Sequence, residues 1–274
     1  TPTLIVFLGL VTLTALDAWR ENPRILHIVI AGAALGLASL ARGNNALFAL
    51  MAVPFFQMHA GSASRAIRHG LLFAAAVALP LIDVTVRNTL VENQVVPVAA
   101  NYAAFYVGHN PGATGLYAMP SFTESASFDK EVWGTRDAVS EKLGRPVTLA
   151  ESAQYLFSEG LRFAAGHPVE EVKLLARKFY FFWNRTESPT NLNYYFAREY
   201  SPILRFLLPG FGWIVPLGVL GIVLTWPQRK RLLLLHAFLL VPLVTCLLFF
   251  VSAEYRITAA PILIVFSAAA TGGQ

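Results

Sequence analysis

The sequence predicts a mainly α-helical membrane protein, a polytopic bundle of about seven spans with a small helical domain on the outer face. Three observations predict it. The chain is 55% hydrophobic and only 14% charged, whereas soluble domains carry about 25% charged residues, and its mean hydropathy is +0.54. Apolar residues gather in runs close to span length, with cationic residues at their edges. One long polar stretch interrupts the pattern near the middle of the chain.

The apolar runs cover residues 3–19, 25–41, 46–58, 71–86, 204–226, 232–251 and 258–271. A straight span needs roughly 20 apolar residues. The third run is short, so 25–58 reads equally as a tight hairpin of tilted or re-entrant helices. Gly32 and Gly36 stand at a G-x-x-x-G spacing in AGAALGLASLA, which favours close helix packing. Arg20 and Arg24 follow the first run, Arg65 and Arg68 the third, and Arg229, Lys230 and Arg231 the fifth. Strict alternation puts these loops on one side, and the positive-inside rule makes that side cytoplasmic. Trp19 and Trp226 then sit at interfacial depth. The expected organisation is four transmembrane helices over 1–86, an extracytoplasmic domain over 87–203, and three transmembrane helices over 204–274. The expected location is the inner membrane, with the large loop outside.

The outer segment holds twelve of the sixteen acids and reads as a folded domain. One helix is expected over 129–143, stopped by Gly144 and Pro146. A second opens at the capping box of Thr148 and Glu151 and runs to about residue 165. A third begins at Pro168, with Glu170 and Glu171 in its first turn. Its end, KLLARKFYFFWN, mixes cations with aromatics, which suits either a helix in the membrane interface or an amphipathic helix docked on protein.

Several chemistries find no support. The basic residues form no aromatic-interleaved patch for nucleic acid, despite the formal net charge of +5. The single cysteine, Cys246, lies in an apolar run and gives no disulfide framework. The six histidines lack H-x-x-x-H or H-E-x-x-H spacing, so no metal ligands are assigned and no cofactor is expected beyond a possible divalent cation. Asn184, Arg185 and Thr186 match the short N-glycosylation pattern. The chain opens at Thr1, already apolar by Leu4, and reads as a fragment beginning at or just before a membrane helix.

Candidate site residues cluster at the expected outer surface. Arg42 lies in ARGNN with Asn44 and Asn45 beside it, and Arg256 lies in SAEYR. Each arginine either snorkels to the headgroups or binds a lipid phosphate, with Asn44 sharing the first site. Over 87–115, Asn101, Tyr106, His109 and Asn110 are closely spaced and suit a sugar or acceptor cleft, which Asn191 would extend. Glu187 reads equally as a solvated loop acid or as a candidate for orienting an acceptor hydroxyl or binding a cation.

Four blocks in order carry a resemblance: GLASLARGNNALFAL, RNTLVENQVVPVAANYAAFYVGHNPGATG, KFYFFWNRTESPTNLNYYFAREYSPILRFL and FVSAEYRITAAPILIVFSA. Together they resemble the GT-C superfamily of glycosyltransferases, which includes protein O-mannosyltransferases and lipid A aminoarabinose transferases. Glu254 and Thr258 stand where arginine and proline are common. The resemblance implies a transferase that takes a sugar from a polyprenyl-phosphate carrier and passes it to a glycan, lipid or protein acceptor on the outer face of the membrane. It also implies that the catalytic acid lies in an external loop upstream of Thr1. Two other readings stay open on the residues alone: a polymerase or ligase of surface polysaccharides, and a transporter of lipid-linked substrates.

Overall fold

A computed structural model describes residues 2–92, 103–118, 128–190, 193–206 and 210–272. The chain is mainly helical. In order, the helices are α1 (Pro2–Glu21), α2 (Ile25–Ala41), α3 (Leu47–His59), α4 (Ala63–Glu92), α5 (Ala104–Gly108), α6 (Phe128–Leu143) and α7 (Leu149–Gly166). There follow α8 (Pro168–Trp183), α9 (Tyr194–Tyr200), α10 (Pro202–Phe206), α11 (Phe211–Leu224), α12 (Leu233–Leu248), α13 (Ala253–Arg256) and α14 (Ala260–Ala270). Among the described residues the extended pairing is an isolated parallel bridge between Leu116 and Val251. Two compact units divide the chain. The first comprises Thr1–Ala100, Pro216–Pro242 and Ile257–Gln274, and the second comprises Asn101–Val215 and Leu243–Arg256.

The apolar runs are largely helical, although 204–226 is divided between α10 and α11, with 207–209 outside the described residues. Three stretches, Pro2–Glu21, Ala63–Val91 and Ala253–Ala270, are long and apolar enough to cross a membrane, while α2, α11 and α12 are apolar but shorter. With 13 residues, α3 rises only about 20 Å against a hydrocarbon core of about 30 Å. The outward face of α4 is a ladder of apolar side chains: Ile67, Leu71, Leu79, Ile82, Val86 and Leu90 are all at least half exposed. Such a face is consistent with a membrane protein whose solvent on that side is lipid.

Within the first unit, α2 packs against α1 and α4. Gly32 and Gly36 put the backbone of α2 directly on α4. A Cβ on Gly36 would run into the Val77 carbonyl and lie 3.1 Å from the Pro80 ring, and one on Gly32 would lie 2.8 Å from the Phe73 carbonyl. The small-residue spacing is thus a contact with a named partner. Thr12 satisfies its hydroxyl on the Leu8 carbonyl one turn back, at 2.9 Å. Trp19 departs from its expected interfacial place. It is 1% exposed and sits among the rings of Phe55, Phe56 and His69, at 5.7, 5.0 and 5.2 Å. Trp226 is exposed with Arg229 over its ring at 5.6 Å.

In the second unit the local signals translate directly into helix ends. Gly144, at φ +66°, follows α6. Thr148 accepts from the Glu151 N–H at 3.2 Å while the Glu151 carboxylate accepts from the Thr148 N–H at 2.8 Å, closing the capping box of α7. Pro168 opens α8. Its buried residues, Leu174, Lys178 and Phe182, are spaced i, i+4, i+8, so one stripe of α8 is docked on protein, while Phe179 and Tyr180 are exposed.

Gly36→Leu places a branched side chain against the Val77 backbone, which cannot move aside without bending α4. We expect a loss of about 1–3 kcal/mol, read as a lower thermal midpoint in detergent, with Leu37→Ala on the exposed face as the control. Equal midpoints would mean that α2 and α4 are not in contact through Gly36.

Candidate functional site

The second unit buries two cations, Lys178 and Arg256, at 0% and 1% exposure. Lys178 closes a helix end, and Arg256 holds the segment that follows one. The last four carbonyls of a helix have no partner within it, and buried carbonyls need donors. At the end of α12, the Lys178 ammonium donates to the Leu247 carbonyl at 3.0 Å and lies 3.0 Å from His109 Nε2. The same ring nitrogen is 3.1 Å from the Leu248 carbonyl. On its other side, His109 Nδ1 lies 2.8 Å from Glu171 Oε1, and Phe105 stacks on the ring at 4.4 Å. Gly108 makes the approach possible, because a Cβ there would collide with the Phe249 carbonyl and stand 3.1 Å from Lys178 Nζ.

The protonation states follow from the surroundings. Burial lowers the Lys178 ammonium to about 8, against the pull of Glu171 in the other direction. Burial also lowers His109, helped by the Lys178 charge and opposed by Glu171. Burial thus favours the neutral form of the imidazole that lies between Glu171 and Lys178. The ring lies between the two charges, with Nδ1 2.8 Å from Glu171 Oε1 and Nε2 3.0 Å from Lys178 Nζ.

Arg256 holds the segment just after α8. It donates Nη1 to the Thr186 carbonyl at 2.6 Å and Nη2 to the Asn184 carbonyl, just past the helix terminus. Its guanidinium lies over the Phe211 ring at 4.2 Å. The fork expected to take a lipid phosphate is thus turned onto backbone carbonyls, where the negative end of a helix favours a cation. The loop it holds carries Glu187, whose carboxyl is raised by burial while the charge of Arg256 draws it back down. The Glu187 N–H donates to the Tyr195 hydroxyl at 3.0 Å. Two further bonds fasten the same loop: Ala253 N–H to the Ser188 carbonyl at 2.8 Å, and Thr190 to the Glu254 carboxylate at 2.7 Å.

The remaining candidates divide clearly. Asn110 spends its amide locally, donating to the Tyr106 carbonyl at 2.8 Å and accepting from the Gly112 N–H at 2.8 Å. That use makes it a cap of α5 more than a cleft ligand. Tyr106 packs into an apolar cluster with Val139, Leu156 and Phe250, and burial raises its phenol. Arg42 lies in the first unit, in extended backbone (φ −154°) that ends α2. Beside it Asn45 is the buried amide, donating to the Ala38 and Arg42 carbonyls at 3.1 and 3.0 Å, while Asn44 is half-buried. Asn101 and Asn191 lie outside the described residues. Among the described residues no three histidine, cysteine or acidic side chains gather to hold a metal.

Sequence reasoning passed over Lys178 and Glu171 as site residues. The available signal was a lysine in register with Leu174 and Phe182 on one helical stripe. Fold and site define a class: a helical protein with several helices apolar enough to cross a membrane and a unit built around buried cations. Comparison with family models, curated proteins and solved structures finds no match for this chain.

Lys178 also sets a pH dependence. An unfolded lysine titrates near 10.4, so between about 8 and 10.4 the unfolded chain binds more protons and stability rises with pH. Below 8 both states are protonated and the burial penalty is constant. The thermal midpoint of the wild type, measured relative to Lys178→Met, should therefore rise from pH 7.5 to 9.5. Parallel curves for the two proteins would show that Lys178 does not titrate in this window.

Proposed function

We propose that this protein works as a membrane-embedded glycosyltransferase of the GT-C kind, moving a sugar from a polyprenyl-phosphate carrier to an acceptor at the outer face of the cytoplasmic membrane. One observation carries the reading. Three of the four sequence blocks, distant in the chain, are joined by direct bonds in one unit. His109 of the second block meets Lys178 of the third, Val251 of the fourth donates to Gly115 of the second, and Arg256 of the fourth holds Asn184 and Thr186 of the third. In this reading the apolar helices α1–α4, α11, α12 and α14 all span the bilayer, and residues 87–203 face outward.

Among the described residues Glu187 is the candidate for orienting and deprotonating the acceptor hydroxyl. Burial raises its carboxyl, the direction that makes a carboxylate a better proton acceptor, while the Arg256 charge draws it back down. The carboxylate removes the acceptor hydroxyl proton, the hydroxyl oxygen bonds to the anomeric carbon, and the bond from that carbon to the carrier phosphate breaks. In the first unit taken by itself, Arg42 and Asn44 of the ARGNN turn are the candidates for holding a lipid phosphate. Arg256 is a positioning residue that fixes the Glu187 loop. Tyr106, His109 and Asn110 shape the acceptor side.

The test is transfer from synthetic polyprenyl-phosphate sugars by the full-length protein in proteoliposomes. Glu187→Gln should lower kcat by about 10²–10⁴-fold, and Arg42→Ala should raise KM for the lipid donor while membrane insertion is unchanged. Wild-type turnover by Glu187→Gln would remove Glu187 as the base. Consumption of diphosphate-linked oligosaccharides alone would replace the transferase reading with a polymerase or ligase.

A further inference from the structure

Beside the buried relay, the second unit contains a cavity of about 360 Å³ lined by the 110–113 loop, Phe163, His167 and the first half of α8 through Glu170, Lys173, Leu174 and Arg177. Lys173 and Arg177 stand i,i+4 on one helix and so present their charges side by side. Neither they nor Glu170 makes a side-chain hydrogen bond or ion pair with a described residue, so these charges are not used in holding the fold together. His167 caps the same helix and stacks on Phe163 at 5.1 Å.

From these features we infer that the cavity is a binding site for an acidic monosaccharide unit, a single sugar ring bearing a phosphate or carboxylate group. Three properties select that ligand. Two adjacent cations against one acid give the lining a net positive charge, and the Arg177 fork matches the planar geometry of an oxyanion. The Phe163–His167 stack supplies an aromatic face for the C–H side of a sugar ring, while Glu170 is placed to accept from hydroxyl groups. The volume lies at the lower end of ligand pockets, enough for one sugar and too little for a lipid tail. The relay positions this site, because His109 precedes Asn110 at the cavity wall and Lys178 follows Arg177. On the transferase reading, and resting on it, the site defines the acceptor class as an acidic glycan.

Binding is measured on the purified full-length protein in detergent by calorimetry, with hexose 6-phosphate, glucuronate, inorganic phosphate and neutral hexose as probes. The expected result is binding of hexose 6-phosphate or glucuronate, weaker binding of inorganic phosphate, and none of neutral hexose. Lys173→Ala combined with Arg177→Ala should weaken the acidic sugars at least about tenfold, the scale of one lost charge-assisted bond. Arg136→Ala, on α6, should leave affinity unchanged. Equal binding of inorganic phosphate and sugar phosphate would overturn the sugar-site assignment, as would no binding or full affinity in the double variant. These readouts need no turnover, so an inactive transferase with intact sugar binding would overturn the catalytic reading and leave this one standing.

Discussion

The constraint on which the second unit depends is that two buried cations each need backbone acceptors, one at the end of α12 and one in the segment after α8. A buried carbonyl without a partner costs about 1–3 kcal/mol, and an isolated buried ammonium costs several more. Neither the end of α12 nor Lys178 is tolerable alone. Together they satisfy each other: the Leu247 carbonyl takes an ammonium proton, His109 Nε2 lies 3.0 Å from the same ammonium, and Glu171 supplies the counter-charge across the ring. Arg256 solves the same problem past the end of α8 with a guanidinium in place of an ammonium. Arginine suits that end because its fork reaches two carbonyls in one plane.

Because both solutions are long-range, they also fix the topology of the unit. The bond from Lys178 to Leu247 ties α8 to α12, and the bonds from Arg256 tie the segment after α12 to the segment after α8. The loop of Glu187 is thereby held at its start by Arg256 and just beyond by Ser188 and Thr190. A carboxyl on such a loop has a set position without being consumed by the bonds that set it. The buried cations thus connect the stability of the unit to the placement of the Glu187 loop.

What the sequence made legible is local, and what it hid is not. The capping box of Thr148 and Glu151 acts across three residues and is formed as read. Pro168 at the start of α8 and Gly144 after α6 behave likewise. The glycines of α2 announced close packing, though not that α4 would be the partner. His109 and Lys178 lie 69 residues apart, a pairing that no spacing rule reaches. Arg256 resembled a free cation because its two carbonyl partners are 70 and 72 residues away. In the ARGNN turn the fold uses Asn45 to close the helix end, a distinction between neighbouring amides that composition cannot make. Trp19 is a related case. A tryptophan at a helix end fits an interface or a core equally well, and only Phe55, Phe56 and His69 decide between them.

The same bonds bear on which acid is available for chemistry. Glu171 is the more perfectly arranged carboxylate, 2.8 Å from His109 and with its side chain only 12% exposed. That arrangement counts against it as a base, because protonating Glu171 would remove the charge that balances Lys178 and weaken the closure of α12. Glu187 carries no such duty. Its N–H is bound to Tyr195, its carboxyl makes no hydrogen bond with a described residue, and Arg256 limits how far burial raises it. A proton can therefore arrive at and leave Glu187 without loosening a helix end. In a unit whose other buried charges are committed to structure, that freedom is the physical reason to look for reactivity at Glu187.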